Sequence, residues 1–351
     1  MTGFKMATGV QDRDWRSRSR LGFKMARRFR WQRWRTWLIR AAVASGVLSL
    51  LLVGFLLSRV EFPHRAGGFD TSTLAWLQGN GDPPELEAKN VEKVLIIGHR
   101  GSGLVGSDAG NSVIGNSANA IQAGIDQRAD WIEIDLRLTK HNEVVLFHDL
   151  KVDKKTDGTG FVDELNLAQI LELDLNVKPY ESILTFDDFQ KRFHARGRRW
   201  IFDIKAERSK TQDETKRDKL LPLILNHPQD NLILFGERSV LEQYDGYATG
   251  YERGLIVSLG ANYLRFLFAR TSIIRHCERL NCRYLVIPAI FAESTFVERA
   301  KEAGLVVWVY EAENAKDQKI LVARGVDGLI VDFPGKARTN LGGPGQKKHA
   351  D

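Results

Sequence analysis

The feature that most restricts what this chain can become is an alternation. From Val94 onward, short apolar runs rich in β-branched and aromatic residues recur at Val94–Gly98, Trp131–Leu136, Trp200–Ile204, Leu232–Phe235, Gly254–Leu259, Arg283–Ile287, Leu305–Tyr310 and Asp327–Val331. Segments with helical periodicity separate most of them: Ala118–Arg128, Phe186–Arg196, Glu214–Asn226, Asn262–Leu280, Phe291–Ala303 and Ala315–Ala323. Strands that alternate with helices pair in parallel. Eight of them in roughly 240 residues match a (β/α)8 TIM barrel, an α/β fold. The rival is an open doubly wound sheet, and it is weakened because no Gly-rich dinucleotide fingerprint follows the first run. One region interrupts the alternation. After the second run come a further extended stretch, Glu143–His148, and an insertion over about 150–183, with a turn marked by Asp157-Gly158-Thr159-Gly160.

The barrel is expected over 94–335, and the segments around it read differently. The chain carries a net charge of +7 over 351 residues. Residues 1–40 hold 12 Lys and Arg against 2 Asp and Glu, so the remainder is slightly acidic. A nucleic-acid partner is therefore not expected. The stretch Ala41–Ser58 is uncharged, and the Arg-rich run before it contains Trp31, Trp34 and Trp37. With Leu38 and Ile39 it is long enough for a helix to cross a ~30 Å hydrocarbon layer. The basic flank places the N-terminus on the cytoplasmic side. The expectation is a basic cytoplasmic tail over 1–37, one N-terminal transmembrane helix over 38–58, and a Gly- and Pro-containing linker over 59–93. The chain becomes a single-pass cell membrane protein with its barrel on the extracytoplasmic side. A buried core helix or a cleaved signal peptide are the rival readings of the apolar run. Residues 336–351, Gly- and Lys-rich, are expected to be a disordered tail. Two cysteines, Cys277 and Cys282, exclude a disulfide scaffold and a four-thiolate zinc site.

A barrel binds its substrate at the C-terminal ends of its strands, so polar residues there carry the functional information. The first run ends in Gly98-His99-Arg100-Gly101. The second carries Glu133 and Asp135, spaced i and i+2, so both carboxylates face the axis, and Arg137 continues that row. His148-Asp149 closes the extra extended stretch, Asp203 and Lys205 repeat the i, i+2 spacing, and Asp332-Phe333-Pro334 ends the last run. Glu133, Asp135 and Asp203 offer three oxygen ligands, which suit a hard divalent metal cation, Ca or Mg. A metal together with an arginine and a lysine suits a phosphate. His99 and His148 can act as acid and base near neutrality. Asp149 and Asp332 read as turn or cap residues.

These motifs resemble those of glycerophosphodiester phosphodiesterases. The likeness rests on His99-Arg100-Gly101, Glu133-Ile134-Asp135-Leu136, Thr139-Lys140, Val145-Leu146-Phe147-His148-Asp149, Asp203-Ile204-Lys205, and Gly325-Val326-Asp327-Gly328 through Asp332-Phe333-Pro334. It covers about 94–335. The resemblance implies a TIM barrel with a small insertion after strand two. It also implies hydrolysis of glycerophosphodiesters to an alcohol and glycerol phosphate with a divalent cation. By motif, His99 and His148 become the acid/base pair, Glu133, Asp135 and Asp203 the metal ligands, and Arg100 and Lys205 the phosphate ligands. Two positions depart from the family pattern. Ile114-Gly115-Asn116-Ser117 stands where Pro-Glu-Asn-Thr is usual, and Asp203 stands where Glu is usual. Lysophospholipase D action on membrane lysolipids is the alternative activity, and a non-catalytic module that binds phosphodiester headgroups is the alternative class. The Arg-interleaved segment Asn262–Arg275 reads either as a barrel helix with a basic face or as a surface that touches a bilayer.

Overall fold

The computed structural model describes residues 93–103, 113–176, 180–193, 198–226, 232–247, 250–258 and 263–342. The expected tail, anchor and nearly all of the linker (1–92) lie outside them. Among the described residues no helix is long and apolar enough to cross a membrane.

Nine strands form one sheet: β1 (Leu95–Gly98), β2 (Trp131–Leu138), β3 (Val144–Leu146), β4 (Trp200–Ile204), β5 (Leu232–Gly236), β6 (Glu252–Ile256), β7 (Tyr284–Pro288), β8 (Val306–Tyr310) and β9 (Gly328–Val331). Eight of them pair in parallel, and β1 joins both β2 and β9, which closes the barrel. The ninth, β3, folds back antiparallel on the end of β2. The helices are α1 (Ala118–Asp126), α2 (Leu167–Leu171), α3 (Phe186–Phe193), α4 (Lys210–Leu225), α5 (Arg238–Leu241), α6 (Tyr263–Arg279), α7 (Ser294–Glu302), α8 (Ala315–Ala323) and α9 (Pro334–Asn340).

Helix α3 shows how local sequence sets this packing. Phe186, Phe189 and Phe193 fall on one face at helical spacing, acids occupy its first turn and bases its last, which suits the helix dipole. The Phe189 ring meets Trp200 of β4 edge-on at 4.7 Å between centroids. Two large apolar clusters of this kind lie between strands and helices. A third fills the inside of the barrel: Ile97, Trp131, Ile201, Ile233, Phe235, Tyr284, Val286, Trp308 and Ile330. Two glycines make room for its aromatic rings. A Cβ on Gly254 would lie 2.4 Å from the Phe235 ring, and one on Gly328 would lie 2.7 Å from Trp308.

The insertion has a small core of its own, in which Val152, Val162, Ile170, Leu175 and Ile183 pack on Val145 and Phe147 of the β3 segment. One boundary shifts from expectation. The disordered tail does not begin at 336: Pro334 opens α9, and Ala337 and Leu341 bury against the main core. Residues 343–351 lie outside the described residues. Within the Arg-interleaved segment, Phe266, Ile273 and Ile274 of α6 are buried and Arg270 pairs with Glu293 at 2.7 Å, the packing of a barrel helix.

Candidate active site

The inward rows of the strands change character along their length. On β2 the row runs Trp131, Glu133, Asp135, Arg137, and on β4 it runs Ile201, Asp203, Lys205. On β1 and β9, Ile97 and Ile330 are each followed two residues later by His99 and Asp332. At the C-terminal ends these residues surround one cavity of about 690 Å³. It is lined by His99, Arg100, Glu133, Arg137, His148, Asp203, Lys205 and Asp332, and also by Phe235, Tyr310 and Glu313. Asp135, fully buried, pairs with Arg100 and Lys205. The seven residues expected at the site are therefore brought together.

Glu133, Asp135 and Asp203 present carboxylate oxygens that all lie within 4.8 Å of one another, and all three residues are buried. Arg100 Nε lies 3.1 Å from Asp135 Oδ2, and Lys205 Nζ lies 2.9 Å from Asp135 Oδ1 and also pairs with Asp203. Burial works against ionisation of Asp135, but Lys205 and Arg100 outweigh it and hold its carboxyl well below the usual range. Glu133 goes the other way: burial, with Asp135 and Asp203 alongside, pushes its pKa well above the usual range. Its Oε2 accepts the Arg100 amide at 2.8 Å, while its buried Oε1 accepts no hydrogen bond from the described residues. A divalent cation fits this donor set. It would meet three hard oxygen ligands, satisfy that orphaned oxygen and relieve the repulsion among the carboxylates.

Each histidine is backed by a carboxylate. His99 Nδ1 lies 2.7 Å from Asp332 Oδ1, and His148 Nδ1 lies 2.6 Å from Asp149 Oδ1. An ionised carboxylate only accepts, so Nδ1 carries the proton in both rings and Nε2 is left to exchange protons. Burial and the Arg100 guanidinium lower the His99 pKa against the opposing pull of Asp332. Asp149 and Asp332, expected as caps, are thus partners of the two histidines. Behind Asp332, Glu313 Oε1 accepts the Asp332 amide at 3.0 Å.

The loop after β1 explains one departure from the family pattern. Arg100 and Asn116 both adopt positive φ, 54° and 72°, and a Cβ on Gly115 would lie 2.8 Å from Arg100 Cβ. A larger residue at 115 would disturb the Arg100 stem. Asn116 holds Asp135 twice, donating to its Oδ2 at 2.7 Å and accepting its amide at 3.0 Å. From the insertion, Glu181 accepts the Ser117 hydroxyl at 3.3 Å and the Asn119 amide at 3.0 Å, at the start of α1.

Known proteins share this fold. The model of the Glycerophosphoryl diester phosphodiesterase family matches residues 99–336. The chain is 28% identical over 252 residues to the YhdW protein of Bacillus subtilis, covering 69% of this chain and 95% of that one. It is 24% identical over 250 residues to the glycerophosphodiester phosphodiesterase of Caldanaerobacter subterraneus, with the same coverage. A solved phosphodiesterase of Oleispira antarctica, in complex with the product sn-glycerol-3-phosphate, shares the fold with a TM-score of 0.59. That pair is 22% identical, covering 71% of this chain and 96% of that one. The chain belongs to the glycerophosphoryl diester phosphodiesterase family and is a phosphoric diester hydrolase.

Proposed function

We propose that the protein hydrolyses glycerophosphodiesters to an alcohol and glycerol phosphate, with a divalent cation held by Glu133, Asp135 and Asp203. The observation that carries this reading is the meeting, in one cavity, of that carboxylate triad with two cations and two carboxylate-backed histidines. Family membership and a relative solved with glycerol phosphate support the same substrate class. Arg100 and Lys205 bind the anionic oxygens of the diester and offset charge that builds up in the transition state. A cation at the triad supplies Lewis-acid neutralisation of charge on the phosphoryl group. His99, favoured in its neutral form, takes a proton at Nε2 from the water whose oxygen bonds to phosphorus as the alkoxide leaves. His148 returns a proton to the departing alkoxide. Asp332 and Asp149 hold the rings in the required tautomer and offset the charge that each ring gains or carries.

The apolar run 41–58 behind a strongly basic segment supports the same enzyme as a membrane-anchored one, its barrel held on the extracytoplasmic face. Protease protection of the barrel in sealed inverted vesicles checks that topology, and cleavage there refutes it. For the chemistry, His99→Ala and His148→Ala should each lower kcat on glycerophosphocholine by about 10²–10⁴-fold, with the thermal transition retained. Unchanged turnover in either variant overturns the acid/base assignment. No release of glycerol phosphate with Ca²⁺, Mg²⁺ or Mn²⁺ overturns the reading as a whole.

A further inference from the structure

Behind the cavity lies a buried ionic network that the chemistry above leaves unused. Arg137, on the same inward row as Glu133 and Asp135, makes three contacts with two of its nitrogens. Its Nε donates to the main-chain carbonyl of His148 at 2.7 Å. Its Nη1 donates to the carbonyl of Ala206 at 2.9 Å and to Glu207 Oε2 at 3.0 Å. The other oxygen of Glu207 accepts the Leu138 amide at 3.2 Å and pairs with Lys216 Nζ at 2.5 Å. Lys216, on α4, is wholly buried, and its ammonium donates to the main-chain carbonyl of Lys205. One carboxylate thus ties together the backbones of His148 and Lys205.

Both of those residues lie beyond the last paired residue of their strands, since β3 ends at Leu146 and β4 at Ile204. Neither carbonyl is held by the sheet ladder. Burying three charges costs several kcal/mol per ion before pairing repays it, and apolar residues of the same volume would serve stability as well or better. The network therefore calls for a role that packing does not supply.

We propose that Arg137, Glu207 and Lys216 are positioning residues that set His148 and Lys205 at a fixed distance and angle across the substrate. The proposal rests on the reading of His148 as a proton donor. It places no member of the three on the reacting atoms.

The test is a double-mutant cycle on glycerophosphocholine, with glycerol phosphate followed by mass spectrometry and folding by thermal melts. Arg137→Lys keeps the charge next to Glu207 but cannot reach all three acceptors at once. It should lower kcat by ~10- to 100-fold with KM changed by less than about twofold. In a His148→Ala background the same substitution should cost several-fold less than in the parent, because no imidazole is left to misplace and only the hold on Lys205 is disturbed. An equal loss in both backgrounds makes the network merely structural and overturns the proposal. A rise in KM at constant kcat makes Arg137 a phosphate ligand and also overturns it. If Arg137→Lys does not fold, Glu207→Gln, which keeps the volume, goes through the same cycle with the same expected outcomes. A His148→Ala protein with wild-type kcat is a separate result: it refutes the acid/base reading, whatever the cycle then shows.

Discussion

The floor and the mouth of this barrel are built from the same rows of residues, two positions apart, and they have opposite chemistry. At the floor, Trp131, Tyr284 and Trp308 with Phe235 pack ring against ring, the Tyr284 and Trp308 centroids 4.6 Å apart. At the mouth, the inward residues further along β1, β2, β4 and β9 are His99, Glu133, Asp135, Asp203, Lys205 and Asp332. The floor is where stability is gained, because large ring surfaces leave water there; the Tyr284 hydroxyl donates to Glu252 at 2.6 Å, and the Trp308 Nε1 has no partner among the described residues. The mouth is where stability is spent, because three carboxylates are held together against their repulsion. A closed sheet lets the first support the second: the rigid apolar layer fixes the strand ends from which the charges project.

The comparison breaks most visibly at the floor. Trp308→Ala should destabilise the protein by about 3–5 kcal/mol, since the lost ring leaves a cavity that its aromatic neighbours cannot close. Urea melts check this, and kcat per folded molecule should stay near the parent value. A loss below ~1 kcal/mol would mean that the floor is not what holds the barrel.

A smaller effect is expected at the mouth. A divalent cation at about 100 times its Kd should raise the unfolding free energy by ~2.7 kcal/mol, and Glu133→Gln should abolish the rise. Thermal melts with and without Ca²⁺ or Mg²⁺ measure both. An undiminished rise in Glu133→Gln places the cation somewhere other than the triad.

Much of this was legible in the sequence, for stated reasons. Alternating apolar runs and helical patterns point to the barrel, and the i, i+2 spacing points to the inward carboxylates, because strand geometry fixes which side chains share a face. Helix α4 was read as starting at Glu214 because its first turn, Lys210–Asp213, is polar and shows no period. Helix α5 is four residues long, too short to show one. Asp332 was read as a cap because its partner is 233 residues away. Only the closure of β9 onto β1, with Val331 beside Gly98, brings it to His99. Asp149 had a local signal, its position next to His148. Glu181 and Glu207 had none: each sits outside the strands, and its role depends on how a loop folds back.

The smallest expected effect sharpens the comparison where floor and mouth meet, at Glu313. Burial, and secondly the neighbouring Asp332, push its pKa up to about 7. The ordinary value for a glutamate is ~4.3. Between those values the folded protein keeps a proton that the unfolded chain has lost, so stability falls as pH rises through that window and stays lower above it. Discounted for the part of the side chain that water still reaches, the loss is about 1–2 kcal/mol. Glu313→Gln retains an oxygen to accept the Asp332 amide but has no proton to lose. Parent and variant should therefore differ least near pH 4, and the variant's advantage should grow as pH rises to 8. Glu133 also titrates with a raised pKa and adds its own slope to both proteins. The difference between the two curves, and not either curve alone, therefore isolates Glu313. Parallel curves across pH 5–8 would mean that Glu313 ionises freely, and that Asp332 backs His99 without a second buried acid behind it.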